Sequence, residues 1–495
     1  MYKAIRLVII VSLILILFAS CGVVDDQSYY GLKVNSRGTL VLADKKALPK
    51  NLVIPSEIGG VEIKELDDNI FEDCTVLKSV ELPYGLTTIS PSAFQGCTNL
   101  ERIEIPNTVT FIWWCAFEDC TSLQSISLPD RLNHLEDRAF YNCTSLEEVH
   151  IGKSLAILGT SIFRGCPITT FDVDPGNPNF SAGGGGKILM NKNGTQIVSY
   201  PTASGNYEVP GGVTSIYYGA FAGCTGLENI TIPSTVNQIL SNAFSSCTCN
   251  LYFAEGRTVI QEDALNVGAS RLTSVHIPST VTTIEENALI GCKNVIFEEG
   301  MTTIPENALM NATNVVSVTI PSTVTSIGDN AFRNCQKLTS VSLPSGLLTI
   351  GNGAFAYSGL TSLSLPNTVT TIGNQAFLHC SGVTGALVFG NNVTSIGERA
   401  FEETSISSVT LGTSVTTVGS EAFNQCPNMN SVSIPTSITS IGNNAFAGCK
   451  QPFSFSYQGT KDAWNVKKTT LSAHSWSAYT GATKIMCTDG ETNLT

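Results

Sequence analysis

The chain has 495 residues, 42% of them hydrophobic and 14% charged, which is enough apolar material for a large core and too little charge for a disordered polymer. A formal net charge of −13 repels phosphate backbones, so nucleic acid is not an expected partner. A single ordinary core seldom grows beyond about 250 to 300 residues, which leaves several domains or a repeat array.

The first element is a targeting segment, residues 1–20. Lys3 and Arg6 precede an almost wholly apolar run of twelve residues, 7–18, too short for a bilayer span of about 20. The run ends in Leu17-Phe18-Ala19-Ser20-Cys21, which resembles a lipobox, although Phe18 stands where Leu is usual. Cleavage before Cys21 and lipidation of its thiol are expected, with residues 21–29 as a polar tether. Loss of Lys3 and Arg6 leaves 25 basic against 40 acidic residues, a mature charge of −15.

Residues 30–65 carry two short strand-like runs, at 38–42 and 51–55, and are expected to form an N-terminal cap. A period of 23 then takes over. Phe71, Phe94, Phe117, Phe140 and Phe163 are 23 residues apart. Phe221, Phe244, Phe332, Phe355, Phe377, Phe401, Phe423 and Phe446 continue the series, and Leu265, Leu289 and Leu309 fill the same slot, giving sixteen coils. Within one coil, Leu100, Ile103 and Ile105 alternate inward, while Glu101, Arg102 and Glu104 are left to solvent. This is the expected strand, and Pro106, which cannot donate to a ladder, ends it. The Ile-Gly-x-x-Ala-Phe stretch, as at 327–332, is expected to turn the chain into a short helical or 3₁₀ turn.

Twelve of the sixteen cysteines lie three residues after the Phe slot: Cys74, Cys97, Cys120, Cys143, Cys166, Cys224, Cys247, Cys292, Cys335, Cys380, Cys426 and Cys449. Metal ligands or catalytic thiols would cluster with His or Asp, whereas a column at one per coil is expected to consist of small buried hydrophobes, with neither disulfides nor metal ligands among them. The five histidines have no ligand-spaced partners, and no nucleophile elbow or Cys–His context is present. No catalytic residue, metal or cofactor is expected.

The pattern Phe-x-x-Cys-x-x-Leu-x-x-Ile-x-Ile-Pro-x-x-Val-x-x-Ile in residues 94–112 closely resembles the BspA-like leucine-rich-repeat family. The resemblance extends from about Val53 to Cys449. It implies a β-rich α/β solenoid, with a parallel concave sheet and caps at both ends. Repeats are expected over 66–171 and 213–449, with a hairpin-like insertion over 172–212 and a C-terminal cap over 450–495. Members of that family are surface or secreted proteins, several of them adhesins. The resemblance implies binding without naming a ligand, and together with the lipobox-like run it leads to the expectation of a lipid-anchored cell-surface protein, held in the outer membrane through Cys21, that engages a host matrix protein or another cell. The alternative is an envelope-organising lipoprotein without an external ligand. A hydrolase would need paired acids in a cleft, where an open sheet is expected.

The columns offer two candidate binding surfaces. The early coils group acids at strand-exposed positions, Glu81, Glu101, Glu104, Glu147 and Glu148, with Lys78 and Arg102 among them; grouped carboxylates suit a basic protein segment. The same columns in the late coils hold Ser and Thr. Trp113, in the usual Gly slot, and Trp114 form an aromatic pair that either anchors a ligand or packs on the neighbouring coil.

Overall fold

In the computed structural model, residues 30–265, 271–471 and 480–495 are described. The signal segment, Cys21, the tether and Trp476 lie outside them. The chain divides into two compact units, Met1–Ile162 and Phe163–Thr495, each a parallel β-solenoid.

In the first unit every coil gives one strand to each of two sheets. The long strands form two separate parallel groups, Asn51–Val53, Ser79–Glu81 and Arg102–Glu104 in one and Ser125–Leu128 with Glu148–Ile151 in the other, each paired in register. Alternation sets their faces: Val80 and Ile103 are buried while Glu81, Arg102 and Glu104 are exposed. After Pro106 a turn closes between Val109 N–H and the Pro106 carbonyl. The chain then enters a short-strand sheet of Thr88–Ile89, Phe111–Ile112, His134–Leu135 and Ile157–Leu158, four strands in parallel register. In each the second residue is buried against the coil interior.

The third side of the coil is built from tight turns whose N–H groups alternate in direction. Ser92, Phe94 and Gly96 donate to the carbonyls of Trp114, Ala116 and Glu118 in the next coil, at 3.1, 2.8 and 2.8 Å. The intervening Ala93, Gln95 and Cys97 donate three residues back within their own coil. Sending alternate N–H groups along the stack requires left-handed backbone two residues before and two after each Phe. Ser92 and Gly96, Cys115 and Asp119, and Arg138 and Asn142 all have φ between 51° and 71°. The Phe side chains thereby stack through the interior, with Phe94–Phe117 and Phe117–Phe140 centroids 5.3 and 5.1 Å apart and rings nearly parallel.

This stack explains the cysteine column. Three thiols of the first unit donate to the carbonyl of the Phe one coil back: Cys97 to Phe71, Cys120 to Phe94 and Cys143 to Phe117, at 3.1 to 3.2 Å. In the second unit Cys335 reaches the Leu309 carbonyl and Cys449 that of Phe423 in the same way. A cysteine supplies apolar volume together with a weak donor for a buried carbonyl. The fifteen described cysteines are all free and buried. Burial pushes the Cys292 and Cys335 thiols up to about 12 and that of Cys380 to about 11.

The second unit opens on an antiparallel arrangement, Phe180–Gly183 with Ile188–Asn191 and then Gln196–Ser199. Gln196–Ser199 also pairs parallel with Ser215–Ile216, and Gly205–Glu208 pairs parallel with Leu227–Ile232, so the chain leaves the hairpin by joining both sheets of the next coils. A six-stranded long sheet runs from Gly205–Glu208 to Ser317–Thr319, and another from Thr384–Val388 to Gly490–Asn493. Between them, residues 339–343 and 361–365 form no strand, whereas the short sheet passes through the same coils unbroken from Thr303–Ile304 to Ser440–Ile441. Here the Gly slot is dictated by the stack. A Cβ on Gly351, Gly373, Gly397 or Gly442 lies 2.3 to 2.7 Å from backbone atoms of the preceding coil.

At the C-terminal end, Phe453 and Phe455 lie against Phe446 with centroids 6.0 and 5.7 Å away. Helix Lys461–Leu471 buries Trp464, whose indole N–H donates to the Asn493 carbonyl at 3.2 Å.

Candidate functional site

Strand register decides which of the early acids share a surface. On the long-strand face of the first unit, Glu81 and Glu104 are direct cross-strand partners, with Ser79 and Arg102 opposite each other one pleat away. All of these but the half-buried Ser79 are exposed. Asn51, Ser79, Glu81, Arg102 and Glu104 line a depression of about 350 Å³ together with three neighbouring residues. Glu104 also borders a second depression of about 420 Å³, with Ser127, Asp130 and His150 on its far side. Like charges directly opposite on a sheet are destabilising, so the Glu81–Glu104 pair lowers stability where it stands.

The other predicted acids are placed differently. Glu101 precedes its strand and is ion-paired with Lys78 of the coil before, 2.7 Å away, which blunts its charge. Glu147 and Glu148 are exposed two coils further on, Glu148 opposite Ser125 and Glu147 bonded through its N–H to the Gln124 carbonyl. The coil between carries Gln124, Ser125 and Ser127, so the acids form two groups. Asp130 and His150, which enlarge the first group, were missed because they sit at a turn and on a strand from later coils. His150 follows Glu104 by 46 residues, two full periods, whereas Asp130 follows it by 26, one period plus three residues into the turn.

Trp113 and Trp114 lie on another side of the coil, just past the short strand. They are 38% and 48% exposed. Trp113 rests on Phe111 at 4.4 Å, and Phe111 stacks on His134 at 4.5 Å.

A network in the second unit was not visible from spacing. Ser274 Oγ lies 2.8 Å from His276 Nε2, and His276 Nδ1 lies 2.6 Å from Glu298 Oε1. Tyr252 stacks on the imidazole at 4.0 Å. This has the connectivity of a nucleophile, base and acid. However, Ser274 is buried and gives its proton to Asn250 Oδ1 at 2.8 Å, so its oxygen is held inside a side-chain ladder. Among the described residues no three His, Cys, Asp or Glu side chains are grouped to hold a metal ion.

Two parallel sheets, a ring stack and a 23-residue coil define a leucine-rich-repeat solenoid, a scaffold whose repeated outward columns serve protein interaction. The profile described as BspA type Leucine rich repeat region (6 copies) matches residues 61–181, 200–266, 258–384 and 384–463, and the chain belongs to that family. Among solved structures it is similar to a leucine-rich repeat protein from Eubacterium ventriosum, at 20% identity over 67% of this chain and 94% of that one, TM-score 0.46. A leucine-rich repeat protein from Bacteroides ovatus is 19% identical over 94% and 99% of the two chains, TM-score 0.39. A leucine rich cell surface protein from Faecalibacterium prausnitzii is 17% identical over 91% and 98%, TM-score 0.29. No curated protein matches.

Proposed function

We propose that the mature chain is a surface-displayed binding protein, an adhesin for a matrix protein or a partner cell, held in the outer membrane by lipid on Cys21. Its ligand is a basic protein segment that docks on the long-strand face of the first unit. The observation that carries this reading is the opposed pair Glu81 and Glu104 beside two depressions. Two carboxylates held against their own repulsion release that cost when a cation sits between them, and they steer association at long range. Arg102 beside them sets the register of a ligand that must offer an acidic or neutral position there.

The test is capture of immobilised matrix proteins by the parent and by a variant with Glu81, Glu104, Glu147 and Glu148 changed to Lys, across a salt series. The variant is expected to lose about tenfold or more in affinity and to lose the parent's salt sensitivity, with an unchanged circular dichroism spectrum because all four side chains are exposed. Glu101→Lys alone has a smaller effect, since Lys78 already compensates it. Unchanged capture by the fourfold variant overturns the assignment. Protease shaving of intact cells separates a displayed adhesin from an envelope-organising lipoprotein, which stays protected. Detergent partition of Cys21→Ala tests the anchor: a variant that remains in the detergent phase is anchored elsewhere.

A further inference from the structure

The outward column of the short-strand sheet differs in kind between the two units. In the second unit it is hydroxyl-bearing along seven consecutive strands: Thr303, Ser326, Thr349, Thr371, Ser395, Thr417 and Ser440. In the first unit the same column reads Thr88, Phe111, His134, Ile157 in unbroken register. The slot just after the short strand is Gly in most coils of the second unit's seven-stranded run, where a Cβ meets the preceding coil at under 3 Å, yet it holds Trp113 in the first. Phe111, Trp113, Trp114 and Ile157 therefore form an apolar ridge, with Ile157 47% and Trp114 48% exposed. The coil after the tryptophans adds Glu136, 3.3 Å from His134 Nε2, and the exposed Asp137.

We infer that this ridge is a membrane-contact surface, seating the short-strand face of the first unit in the headgroup region of a zwitterionic bilayer. The inference rests on the lipidated Cys21 of the proposed function. Eight residues separate Cys21 from Tyr30, and fully extended they reach about 28 Å at ~3.5 Å each. The ridge begins three coil steps from strand Thr39–Leu42, through Glu65–Leu66 and Thr88–Ile89 to Phe111–Ile112, or about 15 Å at ~4.8 Å per step. A lipid on Cys21 thus holds the ridge within reach of the bilayer, and the tether turns even a weak contact into an intramolecular one.

The chemistry favours lipid over a protein partner. Phe111 stacks on His134 and Trp113 tilts against it, and exposed Trp side chains suit a membrane interface, with the apolar ring body toward lipid and the indole N–H in the wet headgroup region. A few half-exposed side chains fall short of the roughly 800 Å² per partner of a stable protein interface. Glu136 and Asp137 at the rim repel anionic lipid, accept hydrogen bonds from the primary ammonium of phosphatidylethanolamine, and attract the trimethylammonium of phosphatidylcholine by charge alone. Seated this way, the short-strand face lies on lipid, and the acidic long-strand face, on a different side of the same coils, stays in solvent.

The full mature chain is coupled through the Cys21 thiol to maleimide-bearing lipid in phosphatidylethanolamine–phosphatidylcholine vesicles, in a Trp476→Phe background, and tryptophan emission is read with and without brominated acyl chains. Trp464 is buried and serves as an internal reference. Brominated lipid is expected to quench Trp113 and Trp114 emission about twofold, with quenching lost in Trp113→Ser/Trp114→Ser and weakened in vesicles rich in anionic lipid. A Phe111→Thr/Ile157→Thr variant, which restores the hydroxyl column and keeps both fluorophores, should lose most of the quenching. No quenching beyond that of the double Ser variant overturns the inference. So does loss of matrix-protein capture in the double Ser variant without any lipid quenching, which assigns the ridge to a protein ligand. Because the coupling is chemical, a failed ridge and a failed natural lipidation give different results.

Discussion

Cys120 offers a direct test of why the thiol column exists. The residue is fully buried, with Sγ 3.2 Å from the Phe94 carbonyl. Cys120→Ala removes one apolar heavy atom, worth about 0.8 kcal/mol of transfer free energy, and leaves a small void. It also takes a donor from a buried carbonyl, about 0.5–1.5 kcal/mol. The Phe94 oxygen keeps the Cys97 N–H at 3.2 Å, so the loss is partial, and the sum is about 2 kcal/mol. Cys120→Ser forfeits the apolar term and keeps the donor, a loss of about 1 kcal/mol. The protein itself places Ser358 and Thr404 in this slot, although Thr404 Oγ1 donates to the carbonyl of Phe401 in its own coil, at 2.9 Å, and not to the coil before. Repeat arrays lose two-state cooperativity, so a denaturation midpoint averages over coils. Amide hydrogen exchange read by mass spectrometry on peptides covering residues 94–123 is the better assay. At 1.4 kcal/mol per decade, Ala should speed exchange of those coils about 30-fold and Ser about 5-fold. Exchange no faster in Ala than in Ser refutes the carbonyl-satisfying role and leaves the column as space filling.

The same thiols set an alkaline limit. Cys292 and Cys335 titrate near 12 in the folded chain against an ordinary value of 9, so the native state keeps protons that the unfolded chain releases. Their contribution is complete below pH 9 and falls by about 1.4 kcal/mol per pH unit for each as pH rises from 9 toward 12; thermal melts at pH 8 and 10 should show the drop, smaller in Cys335→Ser. Gly397→Ala places a Cβ 2.4 Å from the Gly373 carbonyl carbon and should cost about 2 kcal/mol or more, measured as local exchange, whereas wild-type protection contradicts the packing argument. Gln375 holds φ 57°, and Gln375→Asn should stabilise its coil by about 0.5 kcal/mol, because Asn tolerates left-handed backbone better. Ser274 should remain unlabelled by a fluorophosphonate probe, and labelling abolished by His276→Ala would establish a nucleophile where binding alone is proposed.

The Phe and Cys columns and the long strands are legible because each rests on bulky apolar residues at fixed offsets. Ile103 and Ile105 declare their faces through alternation. The short-strand sheet is not legible, since Thr88–Ile89 and its counterparts are two residues long and their one buried residue reads as part of a Val-x-x-Ile spacing. The left-handed turns escape for a different reason. Runs such as Asn330-Ala331-Phe332 suit a local helical turn, and only the neighbouring coil's carbonyls draw alternate N–H groups away. The scattered Asn, Gly and Asp two residues either side of Phe are the trace they leave. Of the candidate site, the acidic character was readable, but the opposition of Glu81 and Glu104 and the neutralisation of Glu101 by Lys78 are consequences of register.

The C-terminal end of the second unit carries a further consequence. Strand Ser454–Tyr457 extends the long sheet in parallel and is joined in parallel by Lys484–Cys487, but the last strand, Gly490–Asn493, runs antiparallel to it. A solenoid whose every coil offers the next an identical set of donors and acceptors has no intrinsic stopping point, and two open ends could anneal into a fibre. Reversing the final strand and laying helix Lys461–Leu471 across it makes the terminal edge unlike any edge a coil can recognise. Residues 454–493 thus break the coil pattern at this edge, and their proteolytic removal is predicted to expose a coil able to seed end-to-end growth, which size-exclusion chromatography of the clipped protein would check.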